Sequence, residues 1–409
     1  MRTICVMSAT RAEWYLLENL CTQIKKDKAL RLQLLISGTH LSPEFGLTYK
    51  EIEKKFHIDK KIEMLLSSDS ESGICKSMGL AQIAFGEALM QLKPDIVVLL
   101  GDRYESLAFG ASAMICKIPI AHLHGGEASF GAIDEAIRHS LTKMSHLHFV
   151  ANELYAKKVI QLGENPKRVF NVGGFGLDNI ANLTLLSKKE LEKALNFTFK
   201  KRNFLITFHP ATLEKQSVQK QFNALLKALK KECLKQDCGL IFTKSNADAN
   251  ARLINAMIDE FTQKHENAVS FASMGALNYL NTMRFVDAVV GNSSSGLCEA
   301  PSFKIATINI GTRQNGRLKA QSVIDCEANF KDICRAFERL DDEAFKEGLK
   351  KVQNPYGKAG AAKKCKEILK NIKLENILQK QFYELDFSLN QYDITASEAC
   401  LSSRRISKT

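Results

Sequence analysis

Short runs of apolar residues alternate along the chain with longer segments in which apolar positions recur at helical spacing. In the first half, six such runs predict β-strands, and amphipathic segments such as Met78–Leu92, Ser106–Cys116 and Asp134–Met144 lie between them. Strands without polar alternation are typical of parallel sheets that helices cover on both faces. The predicted strands are Ile4–Met7, Leu32–Ser37, Ile96–Leu100, Ile118–His122, Leu147–Val150 and Val169–Val172.

The same alternation restarts in the second half of the chain. The segment from about Leu183 to Arg202 is rich in Lys and Glu, and we interpret it as a hinge between two units. Beyond it, helices are predicted at Lys215–Lys235 and Ala249–Lys264. The strands predicted in this half are Phe204–Phe208, Leu240–Thr243, Val269–Phe271, Ala288–Val290, Ile305–Asn309 and Ser322–Ile324.

The pattern predicts an α/β protein of two facing, doubly wound, Rossmann-like domains, although no G-x-G-x-x-G motif opens either one. We place the domains at residues 1–182 and 183–385, with a C-terminal helix that can pack back on the first domain. Residues 386–409 are polar and aperiodic, and we expect a mobile tail there. In this architecture a ligand lies between the domains, at the carboxyl ends of the strands.

Composition narrows the classes of function. The 409 residues include 57 Lys and Arg against 45 Asp and Glu, a net charge of +12, which suits nucleic acid, an anionic membrane surface or a phosphorylated substrate. No RNA-binding or helix-turn-helix motif accompanies the lysines, so nucleic acid is disfavoured. No apolar run approaches the roughly 20 residues of a membrane span, and no signal-peptide pattern is present. We therefore expect a cytoplasmic protein without a membrane span.

Acidic residues follow two of the predicted strands in the first half. Asp102 comes directly after one strand, and Glu127 follows the next strand behind two glycines. Asp134 begins the helix after that, so we expect the three carboxylates to converge on one rim. Carboxylates that share a cleft push their pKa values apart and can supply both an acid and a base. An alternative for Asp102 is a helix N-cap, with Arg103 and Glu105 solvated.

Histidines crowd the same region and raise the question of a metal site. A His-x-His pair near an Asp resembles some metallohydrolase ligand sets. However, two of these histidines straddle a strand end and two open the next strand, and geometry rather than histidine number decides metal binding. We therefore predict no metal. The histidines are His122, His124, His139, His146 and His148.

In the second half, two strand ends carry candidate groups for a nucleotide. His209 ends one strand and faces the same cleft, although a structural histidine is the simpler interpretation of this residue alone. Ser293 and Ser294 lie in a turn that opens a helix, with Glu299 on its first turn. Backbone N–H groups and hydroxyls at a helix start bind phosphate, and a carboxylate just beyond can accept a ribose diol.

Two arginines are candidates for the same phosphate. Arg11 lies in the polar turn after the first strand, from which it can reach across the cleft, and Arg313 follows Gly311 and Thr312. Either one can equally be a surface arginine on local grounds.

Taken together, these residues resemble the UDP-N-acetylglucosamine 2-epimerase family, and more closely its hydrolysing branch in bacterial sialic acid synthesis. The resemblance spans about residues 1–375. The His-x-His-Gly-Gly-Glu block at residues 122–127 distinguishes the hydrolysing branch from the reversible epimerases. The motifs are Thr10-Arg11-Ala12-Glu13, Gly101-Asp102-Arg103-Tyr104-Glu105, His122-x-His124-Gly125-Gly126-Glu127, Asp134-Glu135-x-Ile137-Arg138-His139-Ser140-x-Thr142-Lys143, Val159-Ile160-Gln161-Leu162-Gly163-Glu164, His209-Pro210, Gly291-Asn292-Ser293-Ser294 with Glu299, and Gly311-Thr312-Arg313-Gln314.

The resemblance implies a fold like that of GT-B glycosyltransferases, a homodimer, and a reaction without nicotinamide or an essential metal. A base removes the C2 proton of the sugar while the nucleoside diphosphate leaves C1, and water then adds across the resulting glycal. Which carboxylate is the base stays open. The resemblance implies acid/base roles for Asp102, Glu127, Asp134 and His209, and substrate contacts for Arg11, Arg103, His139, Ser293, Ser294, Glu299 and Arg313.

Alternatives remain open for both the substrate and the class of reaction. We expect UDP-N-acetylglucosamine to be converted to N-acetylmannosamine and UDP. The first alternative is the same chemistry on a UDP- or GDP-linked 2,4-diacetamido-2,4,6-trideoxyglucose, for legionaminic acid. The alternative of another class is a GT-B glycosyltransferase, which needs an acceptor, and a binding module without catalysis is disfavoured by the three carboxylates.

Overall fold

The first half of the chain forms a seven-stranded sheet. The computed structural model describes residues 1–68, 70–130, 132–210, 217–245 and 250–386. All strand pairs in this sheet are parallel, in the order β3-β2-β1-β4-β5-β6-β7. The strands are β1 Arg2–Ser8, β2 Leu30–Ser37, β3 Lys60–Ile62, β4 Ile96–Leu100, β5 Ile120–Leu123, β6 Leu147–Val150 and β7 Val169–Asn171.

Helices cover both faces of this sheet. Along β1, Ile4 and Val6 point into a core shared with the first helix, whereas Cys5 and Met7 point into a second core on the opposite face. Because both faces are buried, successive residues of the strand are all apolar. The helices of this half are α1 Arg11–Lys26, α2 Tyr49–Glu53, α3 Glu71–Leu92, α4 Tyr104–Ile115, α5 Asp134–Met144, α6 Glu153–Gln161 and α7 Gly176–Ala181.

The second half forms a six-stranded parallel sheet in the order β10-β9-β8-β11-β12-β13. Its strands are β8 Arg202–Thr207, β9 Cys238–Thr243, β10 Ala268–Phe271, β11 Ala288–Gly291, β12 Ala306–Ile310 and β13 Val323–Cys326. Its helices are α8 Lys188–Leu195, α9 Val218–Lys235, α10 Ala251–Gln263, α11 Gly275–Met283, α12 Ser295–Cys298, α13 Phe330–Arg339 and α14 Glu343–Lys350. A last helix, α15 Ala361–Asn371, packs with α1 in the core of the first sheet.

The two doubly wound sheets confirm the predicted fold class, and every predicted strand is present within a few residues. The structure adds the strand β3, which the pattern analysis missed because two of its three residues are lysines at a sheet edge. The segment interpreted as a hinge contains α8, whose Leu191 and Leu195 pack in one core with Leu205. The Ser187–Glu190 capping box is the local signal that predicts this helix.

Several predicted features lie partly outside the described residues. The first positions of the predicted helix Lys215–Lys235 do so, as does Ala249 at the start of the next one. The predicted tail beyond residue 386 also lies outside the described residues. Among the described helices, none combines the length and the apolar character that crossing a membrane requires.

Candidate active site at the cleft between the sheets

The strand order of each sheet reverses at one point, between β1 and β4 in the first and between β8 and β11 in the second. Two contacts show that the carboxyl ends of the strands meet there. Arg11, just after β1, donates from Nη2 to the carbonyl oxygen of Lys244, just after β9, at 2.5 Å. Arg317 pairs with Glu127 at 3.2 Å. We call the space between these loops the cleft, which is where such sheets bind ligands.

Asp102 follows β4 at the floor of the cleft. Its Oδ2 accepts a hydrogen bond from Nη2 of Arg138, which also donates to Ser129 Oγ at 3.0 Å. The N-cap alternative for Asp102 is wrong, because the N-cap residue of α4 is Arg103 and no side chain caps that helix. Asp102 is therefore a paired carboxylate that keeps part of its surface open to the cleft.

Arg103 directs its guanidinium to a neighbour rather than leaving it solvated. Nε and Nη2 lie 3.1 and 3.2 Å from the two oxygens of Glu105, which is fully buried. The expectation that Arg103 and Glu105 are solvated is therefore wrong, because a buried carboxylate needs a counter-charge.

Glu127 is enclosed by three partners. Its Oε1 lies 2.5 Å from Nδ1 of His124, and its Oε2 lies 3.2 Å from Arg317 and 3.6 Å from Arg138. Burial raises the pKa of the Glu127 carboxyl, but Arg317 and His124 outweigh burial and hold that pKa below its ordinary value. Glu127 is thus an ionised carboxylate with both oxygens engaged.

Arg138 joins two of the three predicted carboxylates. It is 1% exposed and pairs with both Asp102 and Glu127, so these two groups do converge as expected. Asp134 begins the same helix one turn earlier and is half-buried. His139 lies on that helix as well and pairs with Glu135 at 3.1 Å.

On the opposite wall, Asn292 joins His209 to the serine-rich turn. Its side chain accepts the N–H of His209 at 2.7 Å and donates to the carbonyl oxygen of the same residue at 2.8 Å. Gly291 makes this approach possible, because a Cβ there would overlap the carbonyl oxygen of Thr207. Arg313 donates to the carbonyl oxygen of Asn292 at 3.1 Å, which brings its guanidinium to the same turn.

The helix after the serine turn is shorter than the sequence suggests. The helix α12 has four residues, so the turn offers an anion local N–H groups rather than a long helix dipole. Ser293 Oγ accepts the N–H of Ser295 at 3.3 Å, and Ser294 is the N-cap residue without a side-chain capping bond.

Glu299 follows this short helix, whereas the sequence predicts it on the first turn. It is 5% exposed, and its carboxylate lies against Gly176, where a Cβ would overlap it. Burial raises the pKa of Glu299 to about 8, with a further contribution from Glu127 that Ser295 and Arg317 oppose. The group is therefore mostly protonated at neutral pH.

Arg11 spans the cleft as the sequence suggests. Its guanidinium reaches the loop after β9, and burial lowers its pKa to about 10. A cation held in this way between both sheets suits an anionic ligand in the cleft.

Sequence reasoning missed Arg317 and gave His124 no role in an acid/base set. Arg317 comes from the second half of the chain, pairs with Glu127 and donates from Nε to the carbonyl oxygen of Ala128 at 2.9 Å. No motif marks it, since its partner is 190 positions away in sequence. His124 was available from the His-x-His block, but only the fold shows that Glu127 orients it.

The crowded histidines have separate partners. His122 bonds to the carbonyl oxygen of Gly101 at 2.7 Å, and His148 bonds to Glu164 at 2.9 Å. Burial lowers the pKa of His122 to about 3, so this residue is neutral. Within the described ranges, no group of three or more His, Cys, Asp or Glu side chains is arranged to hold a metal ion.

Comparison with known proteins agrees with the family that the sequence motifs resemble. The family model for UDP-N-acetylglucosamine 2-epimerase matches residues 22–370. A Campylobacter jejuni GDP/UDP-N,N'-diacetylbacillosamine 2-epimerase (hydrolyzing) is 51% identical over 386 residues, which cover 94% of this chain and 99% of that protein. The Legionella pneumophila UDP-N,N'-diacetylbacillosamine 2-epimerase (hydrolyzing) is 32% identical over 93% of this chain and 99% of that protein.

Among solved structures, UDP-GlcNAc 2-epimerase from Neisseria meningitidis bound to UDP-GlcNAc superposes with a TM-score of 0.76. The match has 19% identity and covers 90% of this chain and 99% of that one, so it supports the fold. Two parallel sheets with a cleft between them define a GT-B-like fold. The chain belongs to the UDP-N-acetylglucosamine 2-epimerase family. Its predicted enzyme class, a hydrolysing nucleotide-sugar 2-epimerase, is confirmed.

Proposed function

We propose that the protein hydrolyses and epimerises GDP- or UDP-linked 2,4-diacetamido-2,4,6-trideoxyglucose, the sugar named N,N'-diacetylbacillosamine, on a route to legionaminic acid. The observation that supports this substrate is the 51% identity over 94% of the chain to an enzyme named for it. The more distant Legionella relative carries the same sugar in its name. We therefore prefer this sugar to N-acetylglucosamine, which the sequence motifs alone put first.

The proposed reaction consumes one water molecule. A base takes the proton from C2, the C1–O bond breaks, and the nucleoside diphosphate leaves with the bonding electron pair. Water then adds to the glycal: its hydroxyl bonds to C1, and a proton returns to C2 on the opposite face. The products are the nucleoside diphosphate and a free sugar with inverted configuration at C2.

We assign the nucleoside diphosphate to the wall formed by the second sheet. Arg313 and the serine turn are held together there through Asn292, and Arg11 reaches the same wall from β1. These guanidinium and N–H groups face a departing anion, which they stabilise as its charge develops. Glu299, buried beside α7, is placed to accept the ribose hydroxyls. The nucleotide contacts in this assignment are Arg11, Ser293, Ser294, Glu299 and Arg313.

The sugar then lies against the floor of the first sheet, beside Asp102 and the start of α5. We assign acid/base work there to Asp102 and Asp134, with His209 protonating or hydrogen-bonding the leaving group from the opposite wall. His139 lies one turn beyond Asp134 and is a substrate contact in this proposal. Glu127, which the motifs imply as a further acid/base group, has both oxygens engaged by His124 and Arg317.

A substrate panel tests the proposal. The protein is incubated with UDP- and GDP-linked N-acetylglucosamine and with UDP- and GDP-linked 2,4-diacetamido-2,4,6-trideoxyglucose, without any acceptor, and the free sugar is identified by NMR. We expect the diacetamido substrate to be consumed with a higher kcat/KM than the N-acetylglucosamine substrate and to give the free sugar with inverted configuration at C2. Faster turnover of UDP-N-acetylglucosamine would contradict the substrate assignment. Absence of free sugar from all four substrates would contradict the reaction class and favour a transferase.

A further inference from the structure

His124 has a ring nitrogen without a hydrogen-bond partner in the interior of the site. Its Nε2 is buried and makes no hydrogen bond to the described residues, while the side chain as a whole is 12% exposed. A buried polar atom without a partner costs about 1–3 kcal/mol, so its retention needs an explanation. A reacting group that is satisfied only by a bound substrate is one such explanation.

The backbone of His124 carries a second cost. Its φ is +64°, a left-handed conformation that is uncommon outside glycine, although His adopts it more often than most residues. Two hydrogen bonds hold it there: the N–H of His124 donates to the carbonyl oxygen of Phe149 at 2.8 Å, and Arg138 Nη1 donates to the carbonyl oxygen of His124 at 3.1 Å. Strain that the surroundings enforce is typical of functional sites.

The opposite ring nitrogen fixes the orientation of the imidazole. Nδ1 lies 2.5 Å from Glu127 Oε1, and Glu127 is an ionised acceptor held by Arg317 and Arg138. Nδ1 therefore carries the proton and donates it to the carboxylate, which leaves the lone pair on Nε2. A histidine oriented by a carboxylate is a recurrent design for a general base.

The ring packs beside residues that border both regions assigned to the substrate above. Its centroid is 5.6 Å from the ring of Phe175, whose neighbour Gly176 touches the carboxylate of Glu299. Arg138, bound to the backbone of His124, also holds Asp102. His124 therefore contacts one residue that holds Asp102, the carboxylate assigned to the sugar, and another whose chain neighbour lies against Glu299, the carboxylate assigned to the nucleotide.

We propose that Nε2 of His124 is the base that takes the C2 proton, and that Glu127 is its positioning residue. This assignment rests on the hydrolysing epimerase function proposed above, and it answers which group is the base. The C2–H electron pair forms the C1–C2 double bond, the C1–O pair leaves with the diphosphate, and the proton stays on Nε2. Glu127 stabilises the imidazolium that forms, and the proton that returns to C2 comes from an acid on the other face.

The test uses two replacements that fit a left-handed backbone, so that loss of activity is separated from misfolding. Asn adopts that conformation more readily than most residues, and Gly adopts it without strain. We expect His124→Asn and His124→Gly to lower kcat at least about a hundredfold, the usual size of a general-base contribution. For His124→Asn, whose side-chain amide can still donate to Glu127, the calorimetric affinity for UDP and GDP and the melting temperature should stay close to those of the wild-type protein. Added imidazole should restore part of the turnover of His124→Gly.

The matched control is His57→Asn, a change at an exposed histidine in the loop between α2 and β3. It should keep wild-type turnover and should not respond to imidazole. Near-normal kcat in His124→Asn would overturn the assignment. A joint loss of kcat, nucleotide affinity and melting temperature would also overturn it, because that pattern indicates a structural role. If the wild-type protein releases no free sugar from the substrate panel, the proposed function fails first and this assignment fails with it.

Glu127→Gln tests the positioning role separately. Assayed below its own melting temperature, Glu127→Gln should have a lower kcat and a KM within about twofold of the wild-type value. Added imidazole should not restore its turnover. An unchanged kcat would remove Glu127 from this role. A rise in KM without a fall in kcat would instead make Glu127 a substrate contact.

Discussion

Replacing Glu299 by glutamine should change the pH dependence of stability in a direction opposite to that of most carboxylate removals. Burial raises the pKa of Glu299 from 4.5 to about 8, aided by Glu127 and opposed by Ser295 and Arg317. Between these two values the folded protein holds a proton that the unfolded chain has released. The free energy of unfolding therefore falls as pH rises through this window. Glutamine has a similar shape and does not ionise.

The magnitude follows from the size of the shift. Each pKa unit corresponds to about 1.4 kcal/mol. Integrated from about pH 4.5 to about pH 8, the shift makes ionisation of Glu299 cost about 4 kcal/mol of unfolding free energy. Relative to Glu299→Gln, the wild-type protein should therefore lose about 4 kcal/mol of unfolding free energy between about pH 4.5 and about pH 8. Below about pH 4 the difference between the two proteins should become constant.

Urea unfolding of both proteins at several pH values from about 4.5 to about 8.5, without nucleotide, measures the difference directly. Taking the difference cancels the titration of groups that do not interact with Glu299, and Glu127, which does interact with it, has a pKa held below this window. Glu375→Gln, which removes a carboxylate from an exposed position, is the control and should show no such trend. A wild-type minus Glu299→Gln difference that stays flat across the window would refute the argument that burial dominates at Glu299.

Four further outcomes are expected. Arg317→Met removes the closest counter-charge of buried Glu127 and leaves Arg138 at 3.6 Å, so it should lower the free energy of unfolding in urea by about 3 kcal/mol. A loss below about 1 kcal/mol would contradict this expectation. Adding Glu127→Gln to the Arg317→Met protein should recover part of the lost stability. Asp102→Asn should lower turnover at least about a hundredfold without changing calorimetric nucleotide affinity, and near-normal turnover would remove the residue from the acid/base set. Ser294→Ala should weaken the binding of UDP and GDP by about 1 kcal/mol, and affinities unchanged from those of the wild-type protein would place the phosphates elsewhere. Reaction in deuterated, oxygen-18 water should put deuterium at C2 and the heavy oxygen at C1 of the free sugar, whereas oxygen label in the nucleoside diphosphate would disprove C1–O cleavage.

Much of the fold follows from the sequence because strands buried on both faces carry a strong, local signal. Runs such as Ile96–Leu100 have no polar position, and only a parallel sheet between helices buries all of their residues. Where that signal is weak, prediction fails. The edge strand β3 contains two lysines, so it was not predicted. The helix α8 is so rich in Lys and Glu that its segment was interpreted as a hinge.

The sequence also determined which strand ends carry candidate groups, since the position of Asp102, Glu127 or His209 after a strand is a local fact. Tertiary structure decided how these groups are used. Glu127 is one of three candidate carboxylates in the sequence, but in the fold it is saturated by Arg317, Arg138 and His124. These partners come from three separate segments, and burial of a charge obliges each partner to be present. A role set by charge pairing across two sheets depends on distances that no linear motif records.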